Sequence, residues 1–245
     1  MWDAVRRTFS WRENLLDLRH LQPATKLLLT INLVIIIIVF GISREYTSLI
    51  GWLSVSASIF SVVNLMLCDE GKITNYSWGI LESLLFLVID WQNRLIGDLA
   101  TNLYYLVTQT LGIFWWGKEL QTQTQQRFLQ PRKLKKWQIL LVLVGLVALY
   151  LIVLGFSKQL HGTQIYLDAC LLPLSVMGML LMLGGYRSQW LIWIAWDVVS
   201  LVIWYRQFQI LSPASASMLA LEVIKLVNGL YGSYRWFVKN PELQC

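Results

Sequence analysis

Charge is scarce in this sequence. Only 14% of its 245 residues are charged, against 56% hydrophobic, where a soluble domain carries about 25% charged residues. Mean hydropathy is +0.55. These values exclude a water-soluble globule, a disordered chain and a fibrous repeat. Cysteine is scarce too: Cys68, Cys170 and Cys245 stand far apart with no CxxC pair. That excludes a disulfide framework and a zinc site. The two histidines, His20 and His161, make no metal set with them. No GxxxxGK[ST] phosphate loop occurs, so the chain does not use a nucleotide for energy itself. No nucleophile is paired with a base, which speaks against an integral-membrane enzyme, and no cofactor is expected.

What is present is apolar length. A bilayer helix needs about 20 mainly apolar residues. Eight such segments are predicted, at 26–42, 48–67, 75–91, 98–117, 137–157, 165–185, 189–206 and 214–236. The net charge of +6 is read as topology rather than as nucleic-acid binding, because basic residues collect in cytoplasmic loops. With the N-terminus inside, fifteen of the 20 Lys and Arg residues fall on the inner side, four on the outer side, and Lys225 within the eighth segment. Both termini are therefore expected in the cytoplasm, with the basic loop 118–136 between two halves. The first 22 residues alternate apolar and basic side chains. Ser10 and Glu13 fit a capping box there, so a short amphipathic helix at the inner membrane surface is expected.

Segments four and eight repeat at an offset of 120 residues: Leu99, Ala100, Leu106, Val107, Gly112 and Trp116 match Leu219, Ala220, Leu226, Val227, Gly232 and Trp236. Both segments run from outside to inside, so the repeat is parallel. One linker helix between two three-helix units satisfies that orientation. Such parallel repeats are a transporter architecture. The expected class is an all-α integral membrane protein of eight transmembrane helices, one extra N-terminal helix preceding a 3+1+3 core. Its divisions are 1–25 (amphipathic segment), 26–47 (extra helix and loop), 48–118 (first bundle), 119–163 (basic linker and linker helix), 164–238 (second bundle) and 239–245 (tail).

Ionisable groups at mid-bilayer cost about 2.5–3.5 kcal/mol on the insertion scale, so each needs a partner, a wet cavity or a ligand. The candidates are Glu82, Asp197, Glu222 and Lys225. Glu222 and Lys225 are three apart and can pair with each other. Asp197 has no basic residue within four positions, which favours a ligand role. Trp190, Trp193 and Asp197 share a helix face, as do Asn102, Tyr105 and Gln109, while Asn228 and Tyr231 lie three apart on the last segment. Carboxylates accept from ribose hydroxyls, amides match a carboxamide or base edge, and indoles stack on flat or cationic rings. Asn102 and Gln109 can equally bond to neighbouring helices. Trp190 is as well explained by the interfacial belt as by a ligand, and Trp116 and Trp236 are assigned to the belt. Trp196 is a candidate lipid-facing residue.

The pieces Asn75 to Glu82 (NYSWGILE), Asp98 to Trp116 (DLATNLYYLVTQTLGIFWW), Tyr166 to Ala169 (YLDA), Ser188 to Asp197 (SQWLIWIAWD) and Leu226 to Trp236 (LVNGLYGSYRW) resemble the bacterial nicotinamide riboside transporters, the PnuC-like vitamin and nucleoside carriers. The resemblance implies a homotrimer in the bacterial cytoplasmic membrane, built as a duplicated form of small sugar-transporting bundles. It implies facilitated diffusion of a nucleoside-like vitamin, nicotinamide riboside first, with a cytoplasmic kinase trapping the substrate. Deoxynucleosides, thiamine and riboflavin are the alternative substrates. The chain departs from the family pattern at Glu82 and Asp197, where amides are common, and at Gly178 and Met179, near a common glutamine.

Overall fold

In the computed structural model of the chain, the described residues are 2–43, 45–93, 96–122, 129–159, 165–209 and 215–239. Arg94, the glutamine-rich stretch 123–128 and the tail from 240 onward lie outside them. Ten α-helices occur among the described residues: α1 (Trp2–Phe9), α2 (Trp11–Arg19), α3 (Pro23–Ser43), α4 (Leu49–Asp69), α5 (Asn75–Asn93), α6 (Ile96–Thr122), α7 (Lys136–Gln159), α8 (Ile165–Leu183), α9 (Gln189–Gln209) and α10 (Ser215–Tyr234), the last followed by a π-turn at Arg235–Lys239. Local chemistry sets several starts. Ser48 caps α4 by accepting from the Gly51 amide at 3.0 Å, and Ser10 caps α2 by accepting from Glu13 N–H at 3.5 Å. Pro23 opens α3, where its missing N–H is not needed.

The chain divides into two compact units, residues 1–130 and 131–245. In the first, α4, α5 and α6 pack in sequence and α3 lies along α4, sealed by Ile36, Val55, Val62 and Met66. Polarity is turned outside in. On α6 the buried positions include Thr108, Gln109, Ile113, Trp116 and Leu120, while Leu103, Val107, Leu111, Phe114 and Trp115 are exposed. A helix with its large apolar side chains outward suits lipid, not water.

The amphipathic N-terminal segment forms two short helices, and its polar face is the buried one. Thr8, Asn14 and Asp17 are buried, and Trp2, Phe9, Trp11 and Leu15 are exposed. Asn14 is fully satisfied: its amide donates to the Thr8 and Ser10 carbonyls at 2.9 Å, and its oxygen accepts from Ser77 Oγ at 3.0 Å and Trp78 Nε1 at 2.9 Å. Thr74 donates to Asp17 at 2.9 Å. Glu70 accepts from the Gln22 amide at 2.8 Å and from Thr25 Oγ1 at 2.7 Å. Ala4 sits against Gly117, so closely that a Cβ there would clash. The segment is thus docked on the α4–α5 turn and on the end of α6.

In the second unit α8, α9 and α10 pack in sequence and α7 lies along α8. The expected linker helix therefore packs within this unit. Its turn repeats the first unit's turn at an offset of 114 residues. Gly71 and Gly185 both adopt positive φ, 64° and 66°, a region that glycine enters without steric penalty. The Gly71 amide donates to Cys68 and the Gly185 amide to Met182, each at 2.9 Å. The Gly71 carbonyl accepts from Leu129 at 2.8 Å, and the Gly185 carbonyl from Arg132 at 2.9 Å. In the third helix of each unit the offset is 120, and the six extra residues fall around the α9–α10 connection.

All eight apolar segments coincide with long helices, α3 to α10, with ends displaced by at most five residues. Among the described residues four stretches are long and apolar enough to cross a membrane by themselves: Pro23–Ile42, Leu49–Asp69, Lys136–Phe156 and Ile165–Leu183. Helices α5, α6, α9 and α10 fall below that mark. They are the helices that carry most of the buried amides and carboxylates. One expectation is corrected. Trp116 and Trp236, assigned to the interfacial belt, are 0% and 2% exposed. Trp116 packs edge-on against Tyr76 at 5.0 Å, and Trp236 against Trp190 at 6.2 Å. An apolar ring near a span end fits a belt or a helix contact equally, and only packing separates the two.

Candidate functional site

Among the described residues, each unit holds a polar cluster between its long helices. In the first, Gly79 on α5 is the point of close approach. A Cβ there would come within 2.4 Å of Gln109 Oε1 on α6 and 2.9 Å of Asn64 Nδ2 on α4, so a side chain at this position would push the two amides aside. Asn64 donates to Glu82 Oε2 at 3.5 Å, and Gln109 donates to Ser83 Oγ at 3.4 Å. Gln109 is buried, and its Oε1, like Asn64 Oδ1, finds no hydrogen-bond partner among the described residues. Buried amide oxygens left open are expensive unless something else donates to them. Asn102 and Tyr105 stand half-buried on the same face of α6, two turns and one turn from Gln109 respectively. Tyr105 leans on Tyr104 with ring centroids 5.9 Å apart.

In the second unit Asp197 of α9 is 5% exposed and Glu222 of α10 is 3% exposed. Lys225 donates to Glu222 Oε1 at 3.2 Å, and its ammonium lies 5.0 Å from the centre of the Trp196 ring. Trp196, a candidate lipid-facing residue from sequence, is thus covered by that ammonium. Lys225 attracts and Glu222 repels the Asp197 carboxylate. Glu222 Oε2 has no partner among the described residues. Gly229 admits Asp197 to the α10 backbone: a Cβ there would lie 3.2 Å from Asp197 Oδ2. Asn228 is fully buried and Tyr231 half-buried on the same helix.

The three indoles of α9 have different surroundings. Trp190 is 1% exposed and closed over by Trp236, and its Nε1 has no acceptor among the described residues. Trp193 is half-buried, with its ring against Gly178 of α8, where a Cβ would approach to 2.9 Å. Trp196 faces Lys225. The structure therefore gathers Glu82 and Gln109 in one unit, and Asp197 with Glu222 in the other. The sequence alone assigned no role to Asn64, Ser83, Gly79 or Gly229. The two glycines carry a readable signal, since small residues in membrane helices mark close contact. Ser83 carries none.

Outward apolar faces around buried carboxylates and amides define a multi-pass helical membrane protein. The chain belongs to the nicotinamide mononucleotide transporter family, whose sequence profile matches residues 51–238. Among its relatives, the nicotinamide riboside transporter PnuC of Haemophilus influenzae is 30% identical over 188 residues, covering 76% of this chain and 79% of the relative. The proteins of the same name from Neisseria mucosa and Escherichia coli are each 24% identical, covering 76% and 64% of this chain and 72% and 76% of the relatives. The crystal structure of the vitamin B3 transporter PnuC shares the fold, with a TM-score of 0.74 at 24% identity over 91% of this chain and 92% of that one.

Proposed function

We propose that the protein carries nicotinamide riboside across the bacterial cytoplasmic membrane by facilitated diffusion. The observation that carries this reading is the make-up of the buried clusters: open amide oxygens beside Glu82 in one unit, and two carboxylates with an aromatic face in the other. A carboxamide N–H₂ suits the open amide oxygens, ribose hydroxyls suit the carboxylates, and a pyridinium suits carboxylate and indole together. The relatives bear the riboside's name, whereas the family's description names the mononucleotide. Charge favours the riboside. Asp197 and Glu222 outnumber Lys225, which is already paired, and a phosphate would meet more repulsion than attraction. Asn102, Tyr105, Gln109, Glu82, Trp190, Trp193, Asp197, Glu222, Asn228 and Tyr231 are the proposed contact residues, joined by Asn64 and Trp196.

The same reading takes α3 to α10 as eight spans with both termini cytoplasmic. The assembly is a homotrimer, and a cytoplasmic kinase holds the substrate inside. No energy source is needed at the carrier, so uptake stops at equal concentrations. Proteoliposomes loaded with labelled nicotinamide riboside test this. Equilibration without accumulation is expected, and accumulation driven by a proton or sodium gradient refutes the mechanism. Preference for the mononucleotide over the riboside refutes the substrate.

A further inference from the structure

Lys225 occupies the very surroundings that suit an organic cation. Its ammonium lies over the Trp196 ring at 5.0 Å and donates to Glu222 at 3.2 Å, and Asp197 Oδ2 abuts Gly229, one turn along α10 from Lys225. An indole face with carboxylates is how proteins hold quaternary and aromatic cations. The Glu222 side chain is 4% exposed and Lys225's is 26% exposed. The carboxylate is thus fixed in the interior, while the ammonium rides on a flexible four-carbon stem that can withdraw. Glu222 Oε2 has no partner among the described residues even with the ammonium in place, so the subsite retains acceptor capacity.

We propose that Lys225 is a tethered stand-in for the substrate's cation. It fills the Trp196–Glu222–Asp197 subsite when no substrate is bound, and the pyridinium displaces it on loading. This rests on the functional reading above. The consequence is kinetic as well as thermodynamic. A carrier must return empty through the bilayer, and unpaired buried carboxylates make that return unfavourable. The tethered ammonium keeps the cluster balanced on that stroke. Exchange of one cation for another also lowers substrate affinity, because the substrate must displace a bound group before it binds.

The test is titration and flux on the full-length protein. Lys225→Met removes the ammonium; Lys225→Gln keeps a hydrogen-bond donor should the first variant fold poorly. Expected for either is about tenfold tighter binding of nicotinamide riboside, with binding of its neutral dihydro form changed less than about twofold. Net uptake in proteoliposomes should slow while exchange of internal for external substrate persists. Weaker binding of both forms, or equal loss of exchange and net uptake, overturns the proposal and makes Lys225 a support for Glu222. Failure of the unmodified protein to bind nicotinamide riboside overturns the functional reading and the proposal together.

Discussion

Gly79→Ala perturbs the first cluster by one methyl group. The new Cβ would stand 2.4 Å from Gln109 Oε1 and 2.9 Å from Asn64 Nδ2. Relaxing the first distance to van der Waals contact moves the Gln109 amide by about 1 Å and breaks its 3.4 Å bond to Ser83. Overpacking of this kind costs about 1–3 kcal/mol, offset by about 0.5–1 kcal/mol from replacing a helical glycine. Stability should fall by no more than about 2.5 kcal/mol, so the protein still folds. Binding should weaken as well, since the amide leaves its place: about tenfold, equivalent to about 1.4 kcal/mol. Gly41→Ala is the control, because nothing lies within 4 Å of its Cβ position. It should leave binding alone and stabilise slightly. Thermal unfolding and calorimetric titration with nicotinamide riboside read both quantities. Wild-type affinity in a measurably destabilised Gly79→Ala protein would refute the reasoning, leaving Gln109 and Asn64 as helix packing only.

Trp193→Ala should weaken nicotinamide riboside by about 1–3 kcal/mol if its ring stacks on the substrate; Asp197→Asn should weaken the cationic riboside more than its neutral dihydro form, and calorimetry that finds both variants unchanged removes α9 from the site. For topology, a Lys133→Cys variant in a background lacking Cys68, Cys170 and Cys245 should resist an impermeant thiol reagent applied to intact cells, and labelling from outside would invert the orientation. Burial raises the Asp17 carboxyl above its usual 3.8, against the opposing effects of the Thr74 hydroxyl and of Lys72 and Arg7. A raised native pKa means that docking of α2 is fullest below that value and weakens as pH rises through the raised one. Hydrogen exchange across residues 10–20 should follow that trend, and Asp17→Asn should flatten it.

The positions of the helices were legible from sequence because a bilayer leaves the backbone no alternative. An apolar stretch of span length must satisfy its own N–H and C=O groups, so 137–157 could be little other than the α7 seen at Lys136–Gln159. The ionisable residues inside these stretches were legible for the same reason, since each stands out against the cost of placing it there. Which way each helix faces was not legible. Lipid and helix neighbours are both apolar, so hydrophobic periodicity loses the contrast that marks a buried face in water. Only packing could show that Trp116 and Trp236 are buried while Trp115 is exposed. Likewise only packing laid Lys225 across Trp196 rather than against Glu222 alone. The convergence of Asn64 and Gln109 on Gly79 joins residues of three helices. A contact of that kind depends on where helix axes cross, and that is decided by side-chain shape across the whole unit rather than by any local pattern in the chain.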